Sequence, residues 1–282
     1  MNKGFEIRIY PNQEQQILID KTFGCTRYIY NFMLNLKQKL YEFYGISLNF
    51  NHMSKILTEL KKQKPWLQEP DKCSLQNSIK DLDYSYQKFY NGIAGYPNFK
   101  FRRGKNSYRT NGSLILDQDN KMIRIPKVGW IKFRDKSKFN SLTKINNITI
   151  SKTSSGKYFA SISAKVDIIA FAKTKKSCGI DLGLKNFCIL NDGTKFENPR
   201  FLERNEKRLR LLHKSLSRKV YGSKNYEKAR IRLAKFYEYI ANCRKDYLHK
   251  ISIYLVKNYD IICAETLKVK NMMKNHKLAK DI

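Results

Sequence analysis

Between Gly4 and Tyr10 apolar Phe5, Ile7 and Ile9 alternate with Glu6 and Arg8, the period-two pattern of a half-buried strand that Pro11 ends. Asn12 with Gln15 three residues on reads as a helix start. Apolar positions then recur at Leu18, Cys25, Ile29, Phe32, Met33 and Leu36, a helical stripe that Gly24 is placed to kink. A second stripe runs Met53, Ile56, Leu57, Leu60 and halts at Pro65; a third runs Leu75, Ile79, Leu82, Tyr86, Phe89. Asn12–Tyr90 is therefore expected to be a small three- or four-helix bundle.

From Gly92 to Thr110 the periodicity breaks into glycines, Pro97 and the run Tyr96-Pro97-Asn98-Phe99-Lys100-Phe101-Arg102-Arg103. Short strands are expected next, at Leu114–Leu116, Met122–Ile125, Trp130–Phe133, Ile145–Ser151 and Lys157–Lys165, with Ser154-Ser155-Gly156 as the turn between the last two. If this β block pairs with the isolated N-terminal strand, the helices become an insertion in a small barrel. Ile168–Ser177 is a short basic joint. Beyond it Cys178–Leu182, Phe187–Asn191 and Thr194–Glu197 read as three strands, with a hairpin turn at Asp192-Gly193. Two long basic helical stretches follow, hinged at Tyr221-Gly222-Ser223. The first carries the stripe Leu202, Leu209, Leu212, Leu216, and the second spans Tyr226–Asn258. Asp260–Ala264 is a last, apolar strand ending at Glu265.

Charge changes this picture most. The 282 residues hold 56 Lys+Arg against 24 Asp+Glu, a formal net of +32. A lysine-rich codon bias accounts for many cations but not for so few acids. A surface of one sign repels itself unless a polyanion neutralises it, and nucleic acid does this with release of its condensed counterions. The near one-sign helical stretch, with Arg208, Lys214 and Arg218, reads as a nucleic-acid face. The run at Tyr96–Arg103 has two readings: Lys100, Arg102 and Arg103 interleaved with aromatics to stack bases and pair phosphates, or an aromatic-rich start of a β segment with solvated lysines.

No apolar run approaches the ~20 residues of a membrane span, and Met1–Tyr10 holds no signal-peptide core, so no membrane partner and a cytoplasmic location are expected. Cys25, Cys73, Cys178, Cys188, Cys243 and Cys263 form no C-x-x-C pair, and His52, His213, His249 and His276 lack ligand spacing, so no zinc site is expected.

Two acids interrupt apolar strands: Asp181 within Cys178-Gly179-Ile180-Asp181-Leu182-Gly183, and Glu265 after Ile261-Ile262-Cys263-Ala264. A buried carboxylate demands a partner, commonly a cation or metal. Strand, hairpin, third strand, helices and a further apolar strand is the order of an RNase H-like domain, in which the first and last of these strands lie parallel and adjacent. Asp181 and Glu265 would then be neighbours able to hold Mg²⁺, which prefers hard oxygen ligands, for phosphodiester cleavage.

At this point the residues carry a family resemblance. Gly179-Ile180-Asp181-Leu182-Gly183-Leu184-Lys185-Asn186-Phe187 resembles the first RuvC motif of TnpB proteins, and Ala264-Glu265-Thr266-Leu267-Lys268-Val269-Lys270-Asn271-Met272-Met273-Lys274-Asn275 the second. Arg8–Asn12, Thr22–Asn31, Gly95–Lys100, Ser107–Thr110 and Ile125–Trp130 are also similar to that family. The resemblance implies an α+β multidomain protein: a small wedge-like β-barrel (1–11 and 92–168), a helical recognition insertion (12–91) and an incomplete RNase H-like (RuvC) α/β nuclease domain (175–282). It implies an RNA-guided, transposon-encoded DNA endonuclease of the type called a transposase, with Asp181 and Glu265 as Mg²⁺-binding catalytic residues. Its partners would be target DNA and a transposon-derived guide RNA. Lys72 and Gln76, with Phe50 as a looser match, fall where the family contacts the target-adjacent motif, and Arg109 lies in a matching segment.

The family continues into a C-x-x-C zinc ribbon and a third RuvC aspartate, and Asp281 does not sit in that motif. A truncated chain with little or no nuclease activity of its own, or one complemented by a C-terminal fragment, is thus expected. The alternatives are a non-cleaving RNA or DNA binder, and a generic basic RNA-binding protein in which Asp181 and Glu265 are unrelated in space.

Overall fold

A computed structural model describes residues 2–102, 104–134, 142–167 and 171–275. The chain divides into two compact units, Met1–Ile168 and Ile169–Ile282.

The first unit opens with β1 (Asn2–Tyr10), α1 (Gln13–Tyr44), α2 (Phe50–Gln63), a 3₁₀ turn (Pro65–Gln68) and α3 (Lys72–Tyr90). Strands β2 (Asn106–Thr110), β3 (Ile115–Asp117), β4 (Met122–Ile125), β5 (Gly129–Arg134), β6 (Leu142–Lys152) and β7 (Tyr158–Val166) follow. They form a sheet of order β2-β6-β7-β1-β5-β4-β3. The first strand of the chain is thus central: Phe5 faces Ile162 of β7 and Ile9 faces Phe133 of β5, both pairings antiparallel. Alternate residues Ile7, Ile9, Ile123, Ile131, Ile148, Ile150 and Ile162 meet in one core with Ile19 and Phe23 of α1. One core shared by so many strands requires the sheet to curl around it. It is a curled antiparallel sheet whose end strands β2 and β3 are not paired with each other among the described residues.

Helix α1 begins at a full capping box between Asn12 and Gln15, which satisfies two otherwise orphan backbone donors. It ends at Gly45, whose φ of 64° is the left-handed conformation glycine takes at least cost. The helix is continuous through Gly24. Its second half packs Ile29, Met33 and Leu34 against Met53 and Leu57 of α2 and Leu75, Ile79 and Leu82 of α3. Each fully buried aliphatic side chain contributes about 1.5–3 kcal/mol. Lys37 is buried among them, donating to the Leu48 carbonyl, with its Nζ 4.5 Å from the Tyr86 ring centroid; burial pushes its pKa down.

The second unit comprises β8 (Ser177–Leu182), β9 (Asn186–Leu190), β10 (Lys195–Glu197), α4 (Phe201–Arg204), α5 (Glu206–Ser217), α6 (Lys224–Asn258), β11 (Ile261–Ala264) and α7 (Val269–Met272). The sheet order is β10-β9-β8-β11, antiparallel except for the parallel β8–β11 pair. Asn205 splits the first basic stretch into α4 and α5. Ser223 caps α6, its Oγ accepting from the Tyr226 N–H at 3.0 Å. Two modest cores result. Cys178, Cys188 and Leu190 pack with Ile251 and Leu255, and Leu209 packs with Leu233, Phe236 and Ile240. Among the described residues no helix is long and apolar enough to cross a membrane.

Candidate functional site

The hairpin β8–β9 is set by alternation: Cys178 and Cys188 turn into the core while Asp181 points outward opposite Ile189. On the other edge of β8 the parallel register runs Ile261 to Ser177, Ile262 to Cys178, Cys263 to Gly179 and Ala264 to Ile180. One step further places Glu265 beside Asp181. Both acids, with Gly179, Ile180, Asn191 and Cys263, line an open hollow of about 420 Å³.

Neither carboxylate is buried, which corrects the expectation drawn from their apolar flanks. Asp181 and Glu265 are exposed, as is every residue of β11, the edge strand of a four-stranded sheet. The expected apolar strand lies at the edge of the sheet.

Hydrogen bonds as well as packing hold the register. Asp260, just before β11, accepts from the backbone N–H groups of Thr174 at 3.1 Å and Lys175 at 2.7 Å, while its own N–H donates to the Lys176 carbonyl at 2.9 Å. These bonds hold its carboxyl below the usual aspartate range. Asn191 exchanges two bonds with Gly179: its Oδ1 accepts from the Gly179 N–H at 3.2 Å and its N–H donates to the Gly179 carbonyl at 3.1 Å. The Asp192 carboxyl accepts from the Thr194 N–H at 2.8 Å and from the Tyr259 hydroxyl at 2.7 Å, and is likewise lowered. Asp260 was missed because it reads as an ordinary residue at a strand start.

Among the described residues no group of three or more His, Cys, Asp and Glu side chains is placed to hold a metal ion. The two carboxylates nonetheless suit one Mg²⁺, which keeps several waters and takes one or two carboxylates with substrate phosphates.

The cationic candidates fall at separate places. Lys72 and Gln76 are exposed one turn apart at the start of α3, and Lys80, one turn on, lays its Nζ 5.4 Å from the ring centroid of half-buried Phe50. The Lys100 backbone is held by the Asn31 side chain through bonds of 2.8 and 2.9 Å, and its Nζ lies 3.8 Å from the Tyr30 ring centroid. Desolvation there pushes the Lys100 pKa down. Arg102 is exposed, and Arg103 lies outside the described residues. Arg109 is ion-paired with Asp81 at 2.6 Å, so part of its charge is answered within the protein. Arg208 covers the Phe236 ring at 4.7 Å, and Lys214 and Arg218 are exposed along and at the end of α5.

Residues 161–276, which include the β8–β11 pair, match a family described as "Probable transposase", and residues 1–45 match one described as "Helix-turn-helix domain". The latter span forms a strand and one continuous helix here, so no turn separates two helices within it. The chain is 32% identical over 276 residues to the Escherichia coli (strain K12) protein "Putative RNA-guided DNA endonuclease InsQ", covering 97% of this chain and 68% of that protein. It is 28% identical over 285 residues to a "Putative RNA-guided DNA endonuclease" of Streptomyces pristinaespiralis, covering 71% of it. A Cas12f1–sgRNA–target DNA complex is similar with a TM-score of 0.42 at 12% identity, over 97% of this chain and 82% of that one. These sequence matches define an insertion-sequence transposase-type protein. The chain belongs to the TnpB family.

Proposed function

We propose that the protein is an RNA-guided DNA endonuclease in which Asp181 and Glu265 hold Mg²⁺. The supporting observation is the parallel β8–β11 register, which brings two acids distant in the chain to one hollow at a sheet edge. In this reading 1–11 with 92–168 form a wedge-like domain, 12–91 a recognition insertion and 175–282 the nuclease domain. A guide RNA and a DNA target flanked by a short motif are the partners, with Lys72, Gln76 and Phe50 facing that motif. When bound, the ion polarises the scissile phosphate and lowers the pKa of its water. The chain's own residues orient the substrate: exposed Asp181 and Glu265 leave the hollow open to a phosphodiester, and Arg208, Lys214 and Arg218 supply phosphate contacts whose worth falls with salt.

In this reading the protein purified with RNA expressed from its own flanking sequence cuts a matched plasmid in Mg²⁺ and not in EDTA, against the little or no cutting expected from the residues alone. Asp181→Ala and Glu265→Ala should each abolish cutting while leaving RNA binding within about twofold. Cutting that survives both substitutions would place the chemistry elsewhere. A second reading, a binder that does not cleave, is favoured by the finding of only two clustered carboxylates among the described residues. It predicts equal RNA and DNA retention by all three proteins and no nicking by any.

A further inference from the structure

The first unit holds a second, more enclosed space that the proposed chemistry leaves unused: a cavity of about 270 Å³ between α1, α3, β2 and the segment leading into β2. Pockets for drug-sized ligands run roughly 300–1,000 Å³, so this one suits a single flat ring system. We propose that it receives one unstacked base of single-stranded RNA or DNA, with the flanking phosphates at its cationic mouth. This rests on the nucleic-acid-binding reading above.

The walls have the chemistry a base needs. Phe23 and Tyr108 are nearly buried, with ring centroids 5.6 Å apart and planes tilted by 59°, and give an apolar floor. The Ser78 hydroxyl spends its proton on the Thr26 carbonyl at 2.7 Å, which leaves its oxygen as an acceptor for an exocyclic N–H. Asn106 accepts from Arg27 through Oδ1 at 3.2 Å, leaving its amide N–H groups to donate to a ring carbonyl or ring nitrogen. A base carries both kinds of group on one edge, so paired acceptor and donor positions recognise it better than either alone.

The mouth carries the complementary features. Phe101 is 74% exposed, an unprotected ring at the rim against which the inserted or adjacent base can stack. Arg27 keeps further N–H donors beyond its bond to Asn106, and Lys100 also lines the space, its backbone fixed by Asn31 and its Nζ over the Tyr30 ring. Arg109 also lines the space, but its charge is answered by Asp81 at 2.6 Å. Inorganic phosphate alone would not use the aromatic floor, and an apolar ligand would leave the cations unanswered.

Three fluorescein-labelled decamers decide the matter at fixed salt: oligouridine, oligothymidine and an abasic deoxyribose-phosphate chain. The wild-type protein should bind the better of the two base-bearing strands about tenfold more tightly than the abasic one, since stacking on an aromatic is strong per base. Phe101→Ala, on the surface, and Ser78→Phe, which fills the space, should each shrink that ratio severalfold while leaving abasic binding unchanged. With 4-thiouridine or 4-thiothymidine at one position, ultraviolet crosslinks should map to Phe101–Arg109 and be lost in Ser78→Phe. Oligouridine against oligothymidine tells which strand supplies the base. An unchanged ratio in Phe101→Ala, or crosslinks confined to other segments, would overturn the pocket while leaving general nucleic-acid binding intact. Failure of the wild type to bind any decamer would remove both readings together.

Discussion

The two units solve the same problem, holding functional side chains in place, by different means. In the first, Ile29, Met33, Leu34, Leu75, Ile79 and Leu82 are fully buried in the helical core, and Ile148, Ile150 and Ala160 are equally hidden beneath the sheet. In the second, burial is less even among the described residues: Cys188 is 1% and Cys178 and Leu190 2% exposed, but Leu233 and Phe236 are 8% and Leu255 9%. Apolar Ile253, Val256, Ile261 and Ile262 lie open to solvent, an apolar surface of the kind that marks contact with other molecules. The carboxylate pair sits on this thinner unit, at its edge strand. Its geometry therefore depends on directional bonds from Asp260 and Asn191 as much as on packing, whereas three sides of the base-sized cavity belong to α1, α3 and β2 of the better-buried unit.

The sharpest test compares equivalent truncations. Leu75→Ala should cost about 2–5 kcal/mol, whereas Leu255→Ala, partly exposed in a smaller cluster, should fall at or below the bottom of that range. Denaturant unfolding followed by a probe in each unit measures both. Equal costs would break the contrast. A finer probe is Arg208→Ala, which uncovers the Phe236 ring. It should destabilise the second unit by about 0.5–1 kcal/mol, the scale of an exposed cation–π contact, and leave the first unit's transition unmoved.

What could be read from the residues alone follows the same division. Strong alternation put β4 at its observed limits and β5 and β7 within a residue or two, because a half-buried sheet imposes period two directly. The neighbourhood of Asp181 and Glu265 was legible from the order of the strands, which fixes adjacency without fixing exposure. Their burial was misread because an apolar run looks alike in a central and an edge strand. Gly24 costs a helix about 1 kcal/mol relative to alanine, yet α1 continues through it and buries side chains on both sides, from Ile19 and Phe23 to Ile29 and Met33. Packing outweighs the propensity there. The open ends of the curled sheet, the break at Asn205 and the cavity beside Tyr108 arise from contacts between distant segments, for which no local pattern exists.

Asp260 offers the smallest and most specific test of whether hydrogen bonds hold the carboxylate pair. Its partners, the N–H groups of Thr174 and Lys175, lie more than eighty residues earlier, so the bond clips β11 to the start of β8. Because these donors favour the ionised carboxylate, the folded pKa lies below the unfolded value of about 3.9. The contribution is therefore fully present above that unfolded value and is lost as pH falls through the folded one. Asp192 titrates in the same direction through Tyr259 and Thr194, so Asp192→Asn is needed as a second variant. Amide exchange over Ile261–Ala264 should accelerate, relative to the intrinsic rate, as the wild type is acidified below about pH 4. In Asp260→Asn the exchange should be faster already at neutral pH, with a smaller acid step, whereas Asp192→Asn should keep most of it. If Asp260→Asn leaves exchange in β11 unchanged at every pH, packing alone sets the register, and the contrast between a bonded edge and a buried core fails at the place where it matters for the site.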